Sequence, residues 1–187
     1  REEYMEKYDL EPPVVFMVGH VIKRKGLESF VETARQMPDL DFVWFGYLNP
    51  TGGNSLVDSL MKSRDTKKIV ENAPDNCQFT GFIDDIRGAF AAGDIFFFPT
   101  KNENEGMALL ESMACGKPPV VRDIGTFQWL EDGENCLKAK EDFVPELEKL
   151  KDKKLRKEIG GSAEDKSRDF RLENISDLLV SVYREVV

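Results

Sequence analysis

Two carboxylates and a glycine stand out in the stretch Lys101 to Pro118, KNENEGMALLESMACGKP. Glu103 and Glu111 are separated by seven residues, Gly106 lies between them, and a helical pattern opens near Met107. Glycine takes backbone conformations that other residues resist, so a ligand can come close to the main chain there. The first N–H groups of a helix starting at that point would point out of the turn, at the positive end of the helix dipole. Phosphate is the ligand that suits such a turn. Helical spacing puts Glu111 just over one turn in, on the side of Ala108, Ser112 and Cys115, with Leu110, Met113 and Ala114 toward the core. A carboxylate among small side chains leaves room for a vicinal diol that donates two hydrogen bonds.

A second group lies at 19–26, GHVIKRKG, a glycine turn carrying Lys23, Arg24 and Lys25 into a helix. His20 is the only histidine, and no second histidine or carboxylate cluster accompanies it as a metal site requires. Paired carboxylates also serve glycosidases, where they flank the scissile bond. Glu111 does not fit that arrangement, because it belongs to a helix beside a phosphate-type turn rather than facing a partner acid.

These residues are positioned by alternating strands and helices. Apolar, β-branched and aromatic runs predict strands at Val14 to Val18, Phe42 to Phe45, Cys77 to Thr80, Asp94 to Phe98 and Pro119 to Val121, with an edge strand at Asn135 to Ala139. Leu27, Phe30, Val31 and Ala34 share one helix face, and Leu56 to Glu71 reads as a weakly amphipathic helix. Asp84 is the expected cap of a short helix with Ile86, Ala89 and Phe90 on one face. Leu48 to Asn54 reads as loop, and Thr126 to Leu130 as one helical turn. The C-terminal third is helical: Pro145 to Lys157 is a charged, solvated helix, and Leu172, Ile175, Leu179, Val182 and Val186 form an apolar stripe. This rhythm predicts an α/β fold, a parallel sheet with helices on both faces. Ligands of such sheets bind at the carboxyl ends of the strands, where the loops after Val18, Phe45, Thr80 and Phe98 lie. Residues 1–13 read as a linker or the tail of a preceding domain, and residues 14–187 as one domain.

The 187 residues carry a formal net charge of −9, which argues against a nucleic-acid binder and against an anionic membrane surface as partner. No run of about eighteen apolar residues is long enough to span a bilayer, and no signal-peptide pattern is seen. Cys77, Cys115 and Cys136 are widely spaced, without C-x2-C pairing, and are read as small buried or half-buried thiols in a reducing cytoplasm. The chain opens on Arg1 and is expected to be a fragment of something longer.

The E-x7-E spacing, the internal glycine and the trailing SMACGKP resemble the donor-nucleotide half of GT-B glycosyltransferases of the retaining family 4 type. The resemblance runs from about Val14 onward. It implies a Rossmann-like domain, one half of a GT-B fold, binding a nucleotide sugar, a UDP-sugar, without a metal ion. It further implies that Glu111 holds the donor ribose hydroxyls and that Glu103, at a position assigned to catalysis or sugar orientation, sits near the donor sugar. The amides of Gly106, Met107 and Ala108 would cradle the diphosphate. Gly81, Phe82 and Ile83 either meet the nucleobase or form a plain strand-to-helix connection. The family pattern G-R-x-x-x-x-K-G is met by Gly19, Lys25 and Gly26, and Lys25 would oppose the charge on a departing nucleoside diphosphate. His20 stands where the arginine is expected. Either Arg24 or Lys23 shares the charge or fewer cations are used, and His20 itself is structural or touches the donor.

The forms NENEG, RKG and VWFG look most like bacterial diacylglycerol glucosyltransferases, which implies hexose transfer to a lipid such as diacylglycerol with retained configuration. The missing partner would be an N-terminal acceptor-binding domain, and any membrane contact, peripheral at the inner face, would be made through it. The isolated chain is then expected to bind donor without turnover, with its last helix near the domain junction and prone to self-association. Two other readings are a non-catalytic nucleotide- or phosphosugar-binding module and a hydrolase or epimerase of the same shape.

Overall fold

The computed structural model describes residues 1–48 and 56–186. Its frame is a six-stranded parallel sheet: β1 (Val14–Val18), β2 (Asp41–Phe45), β3 (Cys77–Phe79), β4 (Ile95–Phe98), β5 (Pro119–Arg122) and β6 (Leu137–Ala139), in the order β3-β2-β1-β4-β5-β6. Val15 is paired with both Phe42 of β2 and Ile95 of β4, so β1 lies at the centre of the sheet. Every residue of β1, β4 and β5 is buried. Strands covered on both faces have no reason to alternate polar and apolar residues, which is why β1, β4 and β5 as far as Val121 appear in the sequence as unbroken apolar runs.

Eight helices connect and flank the strands among the described residues: α1 (Glu2–Lys7), α2 (Leu27–Gln36), α3 (Leu56–Glu71), α4 (Ile86–Ala92), α5 (Met107–Ala114), α6 (Val144–Lys149), α7 (Lys153–Ser167) and α8 (Leu172–Val186). Both sheet faces are covered, and the aromatic contacts show it. Phe30 of α2 meets Phe42, Trp44 and Phe97 at ring-centroid distances of 5.5, 5.0 and 5.5 Å. Phe90 of α4 meets Phe16 at 5.9 Å, and Phe16 meets Phe96 at 5.2 Å. Phe96 and Phe97 are strand neighbours and so point to opposite faces.

Some local details add to the expectations and others change them. Residues 1–13 carry α1, fastened to the body: Tyr4 is buried, its hydroxyl donates to the Asp85 carbonyl at 2.7 Å, and its ring fills the space that a side chain at Gly88 would need. The cap of α4 is Asp85, not Asp84; its carboxylate accepts from the Arg87 amide at 3.1 Å. The charged run Pro145 to Lys157 is split into α6 and α7, because the Asp152 side chain accepts the Lys154 and Leu155 amides and starts a new helix. The helical turn expected at Thr126 to Leu130 is a short 3-10 segment, Gly125–Phe127. The loop expected over Leu48 to Asn54 lies, from residue 49 on, outside the described residues.

Candidate functional site

Strand order reverses at β1 and β4: the chain runs outward from β1 through β2 to β3, then returns to β4 and continues the other way through β5 to β6. The loops that leave the carboxyl ends of β1 and β4 therefore part there, and the crevice between them is where such sheets hold ligands. A cleft of about 570 Å³ occupies this place. Its walls are Val18, Gly19, His20, Ile22, Arg24 and Lys25 from the first loop, and Glu103, Asn104, Glu105, Gly106, Met107 and Ala108 from the second.

The first loop is fixed by close backbone contacts. Gly19 has φ 136°, and its carbonyl accepts the Trp44 indole N–H at 2.8 Å. A side chain on Gly46 would lie 1.8 Å from that same carbonyl, so only glycine lets the ends of β1 and β2 approach. Gly26, with φ 84°, closes the loop and presses on the Pro99 carbonyl, 2.2 Å from where a Cβ would sit. The two loops are joined as well, since the Lys101 amide donates to the Arg24 carbonyl at 2.9 Å.

Within the cleft, Lys25 and Glu103 form an ion pair, with the Lys25 ammonium 5.2 Å from the centre of the Phe98 ring. Both side chains are largely buried, at 18% and 11% exposure. Thr126 holds the backbone behind the acid by donating to the Glu103 carbonyl at 2.9 Å. Gly106, in the left-handed conformation at φ 79°, ends the second loop and starts α5, and no side chain caps that helix. Its opening amides thus face the cleft without a side-chain acceptor, an anion-binding arrangement. His20 and Arg24 are exposed in the lining. Lys23 points elsewhere, pairing with Asp65 at 3.3 Å and Glu28 at 3.5 Å, so of the two cations proposed to stand in for the missing arginine, Arg24 is the one at the cleft.

Glu111 is not in this cleft. It lines an adjoining recess of about 280 Å³ with Leu110, Ala114, Glu164, Ser167, Arg168, Phe170 and Arg171, and Met107 belongs to both spaces. Partial burial raises its carboxyl above the ordinary value. Among the described residues Glu111 has no ion-pair partner, and Arg168 in the same recess is engaged by Glu164 at 3.3 Å and Asp165 at 2.7 Å. The expected facing of α5 is partly wrong. Leu109, Ser112 and Met113 are the buried residues, while Ala114 is exposed and Leu110 stands beside Glu111. The spacing of residues on a helix does not by itself fix which face turns to the core.

Phe82 and Ile83 do not line either space; Phe82 is 72% exposed and Ile83 is partly buried against the core. Gly81 is still brought to the same edge, bridged to Gly46 beside Gly19. Sequence reasoning missed Asn104 and Glu105, which are adjacent to predicted residues, and Arg122. The buried Arg122 guanidinium donates to Pro99 O at 3.1 Å, Ser29 Oγ at 2.8 Å and Lys140 O, bracing the carbonyl that Gly26 rests on. The one signal for it was a charged residue closing an apolar strand. Burial pushes the Cys77 and Cys136 thiols up to about 12. Cys115 is exposed. Among the described residues no cluster of three or more His, Cys, Asp or Glu could hold a metal ion, and no helix is long and apolar enough to cross a membrane.

Over residues 12–153 the chain matches the family described as "Glycosyl transferases group 1". It is 34% identical over 194 residues to the processive diacylglycerol alpha-glucosyltransferase of Acholeplasma laidlawii, a match covering 100% of this chain and 55% of that protein. Similarity to the alpha-galactosylglucosyldiacylglycerol synthase of Streptococcus pneumoniae is 27% identity over 176 residues, 92% of this chain and 46% of that protein. In fold it is similar to Anabaena HepE, solved in complex with UDP-glucose, at a TM-score of 0.81 and 18% identity over 98% of this chain and 52% of that one. The chain spans about half the length of the curated relatives it matches.

Proposed function

The chain belongs to the group 1 glycosyl transferases, and from that membership we propose that it is the donor-binding half of a retaining glycosyltransferase of the family 4 type. The whole protein would transfer a hexose from a UDP-sugar to a lipid acceptor such as diacylglycerol, the lipid that appears in the names of both curated relatives. Residues 14–187 would form the donor domain, and residues 1–13 the connection to an acceptor-binding half. That other half would make contact with the inner membrane face.

The observation that carries this reading is the single cleft in which Lys25, Arg24 and His20 face Glu103 and the uncapped start of α5. A diphosphate there would accept from the amides of Gly106, Met107 and Ala108 and draw Lys25 away from Glu103. As the glycosidic bond breaks, negative charge grows on the leaving diphosphate, and Lys25 and those amides are already in place to oppose it. Glu103, released from Lys25, would face the donor sugar. Glu111, one recess along, would accept the ribose hydroxyls. Fixed cations and amides supply the positive charge, so donor binding is proposed to need no metal ion.

Calorimetric titration of this chain with UDP, GDP and ADP tests the assignment, in EDTA and again with magnesium. UDP should bind selectively and equally in both buffers, and Lys25→Ala and Glu111→Ala should each weaken it about tenfold or more, the worth of one charge-assisted contact. Parent-like binding by both variants would sink the proposal, as would the whole protein failing to bind any of the three nucleotides.

A further inference from the structure

At the opposite, amino edge of the sheet lies a smaller cleft of about 180 Å³, between the segments that lead into β4 and β5 and the start of α7. Lys117 enters it from the turn after α5, and Lys153, Arg156 and Lys157 enter from α7. The last three follow at i, i+3 and i+4, the spacing that puts side chains on one helix face. Elsewhere along α6 and α7 cations meet acids: Lys149 pairs with Glu146 at 2.6 Å, Lys151 with Asp39 at 2.7 Å, Lys154 with Glu158 at 3.7 Å and Lys166 with Asp169 at 3.1 Å. Among the described residues, none of the four cations lining the cleft has an ion-pair partner. Its one carboxylate, Asp94, is taken up by Arg1, with both oxygens at 3.0 Å, and by the Val14 amide at 2.9 Å. In a chain of net charge −9 such a grouping is not a by-product of basic composition.

Two of the cations are also held in place. Arg156 donates through one guanidinium nitrogen to the Leu150 and Lys151 carbonyls at 2.6 and 2.8 Å, leaving the rest of its fork available. Lys117 donates to the Gly93 carbonyl at 2.8 Å, and burial lowers its affinity for its proton, a cost that a bound anion would offset. The α7 amides are not the attraction, because Asp152 already caps them. The volume falls below the roughly 300 Å³ at which small-molecule pockets begin, which favours a single tetrahedral anion over a nucleotide.

We infer that this cleft is a second anion site, binding a phosphate group, as a phosphomonoester or a phosphodiester, independently of the nucleotide cleft. Such a group comes either from a soluble metabolite or from a lipid headgroup. The test follows backbone amides by NMR during titration with inorganic phosphate and glycerol 3-phosphate. In parallel, the chain is sedimented with phosphatidylcholine vesicles with and without phosphatidylglycerol. The comparison variant is Lys153→Glu with Lys157→Glu, both exposed positions, with thermal melting and UDP binding as controls for folding. Saturable shifts at Lys117 and the start of α7, weakened about tenfold in the variant, support the site with a soluble ligand. Sedimentation only with phosphatidylglycerol, lost in the variant, supports it with a lipid ligand. No saturable response in either arm, or one the variant leaves unchanged, overturns the inference.

Discussion

Lys25 and Glu103 stand 78 positions apart in the chain and meet as an ion pair in the cleft. Each was singled out separately through the family resemblance, Lys25 by the G-R-x-x-x-x-K-G pattern and Glu103 by the E-x7-E spacing. Their pairing was not, because no local pattern encodes a contact across two loops. The same limit explains why Glu111, close to Glu103 in sequence, occupies the next recess. Burial holds its carboxyl above the ordinary 4.5, so the folded chain binds that proton more tightly than the unfolded chain. Its contribution to stability is therefore full below pH 4.5 and lost as pH rises through the raised value. Glu111→Gln should accordingly melt at or above the parent temperature at about pH 7, with the difference gone near pH 4, while UDP binds about tenfold more weakly. A clear drop in melting temperature at neutral pH would show that the ionised carboxylate is stabilised in a way its surroundings do not account for.

At the scale of elements, strands were easier to read than helix boundaries. β1 and β4 are apolar throughout, and β2 from Phe42 on, because both faces are covered, and that composition marks them whatever lies between. Helix starts depend on which side chain turns back to an amide, and neighbouring candidates such as Asp84 and Asp85 differ only in the fold. α1 is short and charged, and Tyr4 is its one buried residue, with Met5 partly buried beside it, too little for a periodic signal. The loops at the cleft depend on glycine for two reasons, and Gly26 has both, a positive φ and contact with the Pro99 carbonyl. Gly26→Ala is expected to cost roughly 2 kcal/mol or more in urea unfolding, from left-handed strain plus the clash. It should also weaken UDP binding, since Lys25 is the preceding residue. Parental stability would mean that the loop can lift off β4 freely.

Taken whole, the chain turns one apolar face outward. Leu172, Ile175, Leu179, Val182 and Tyr183 of α8 are all exposed, Leu172 by 82%. Such a stripe on a helix is a contact surface awaiting a neighbour, and the other half of the protein is the neighbour proposed here. The chain alone should therefore self-associate as its concentration rises, and Leu179→Lys with Val182→Lys should raise the concentration needed by about tenfold, as read by sedimentation velocity. Monomeric behaviour of the parent at all concentrations would remove this role from α8.

The two tryptophans, finally, are wired to different halves of the site. Trp44 is buried with its indole N–H on the Gly19 carbonyl at the mouth of the larger cleft. Trp129 lies 4.7 Å, ring to ring, from Phe170 in the wall of the Glu111 recess. The molecule thus carries two native optical probes. With Trp44→Phe and Trp129→Phe each leaving one emitter, fluorescence can separate a ligand group arriving in the larger cleft from one arriving in the Glu111 recess without any added label.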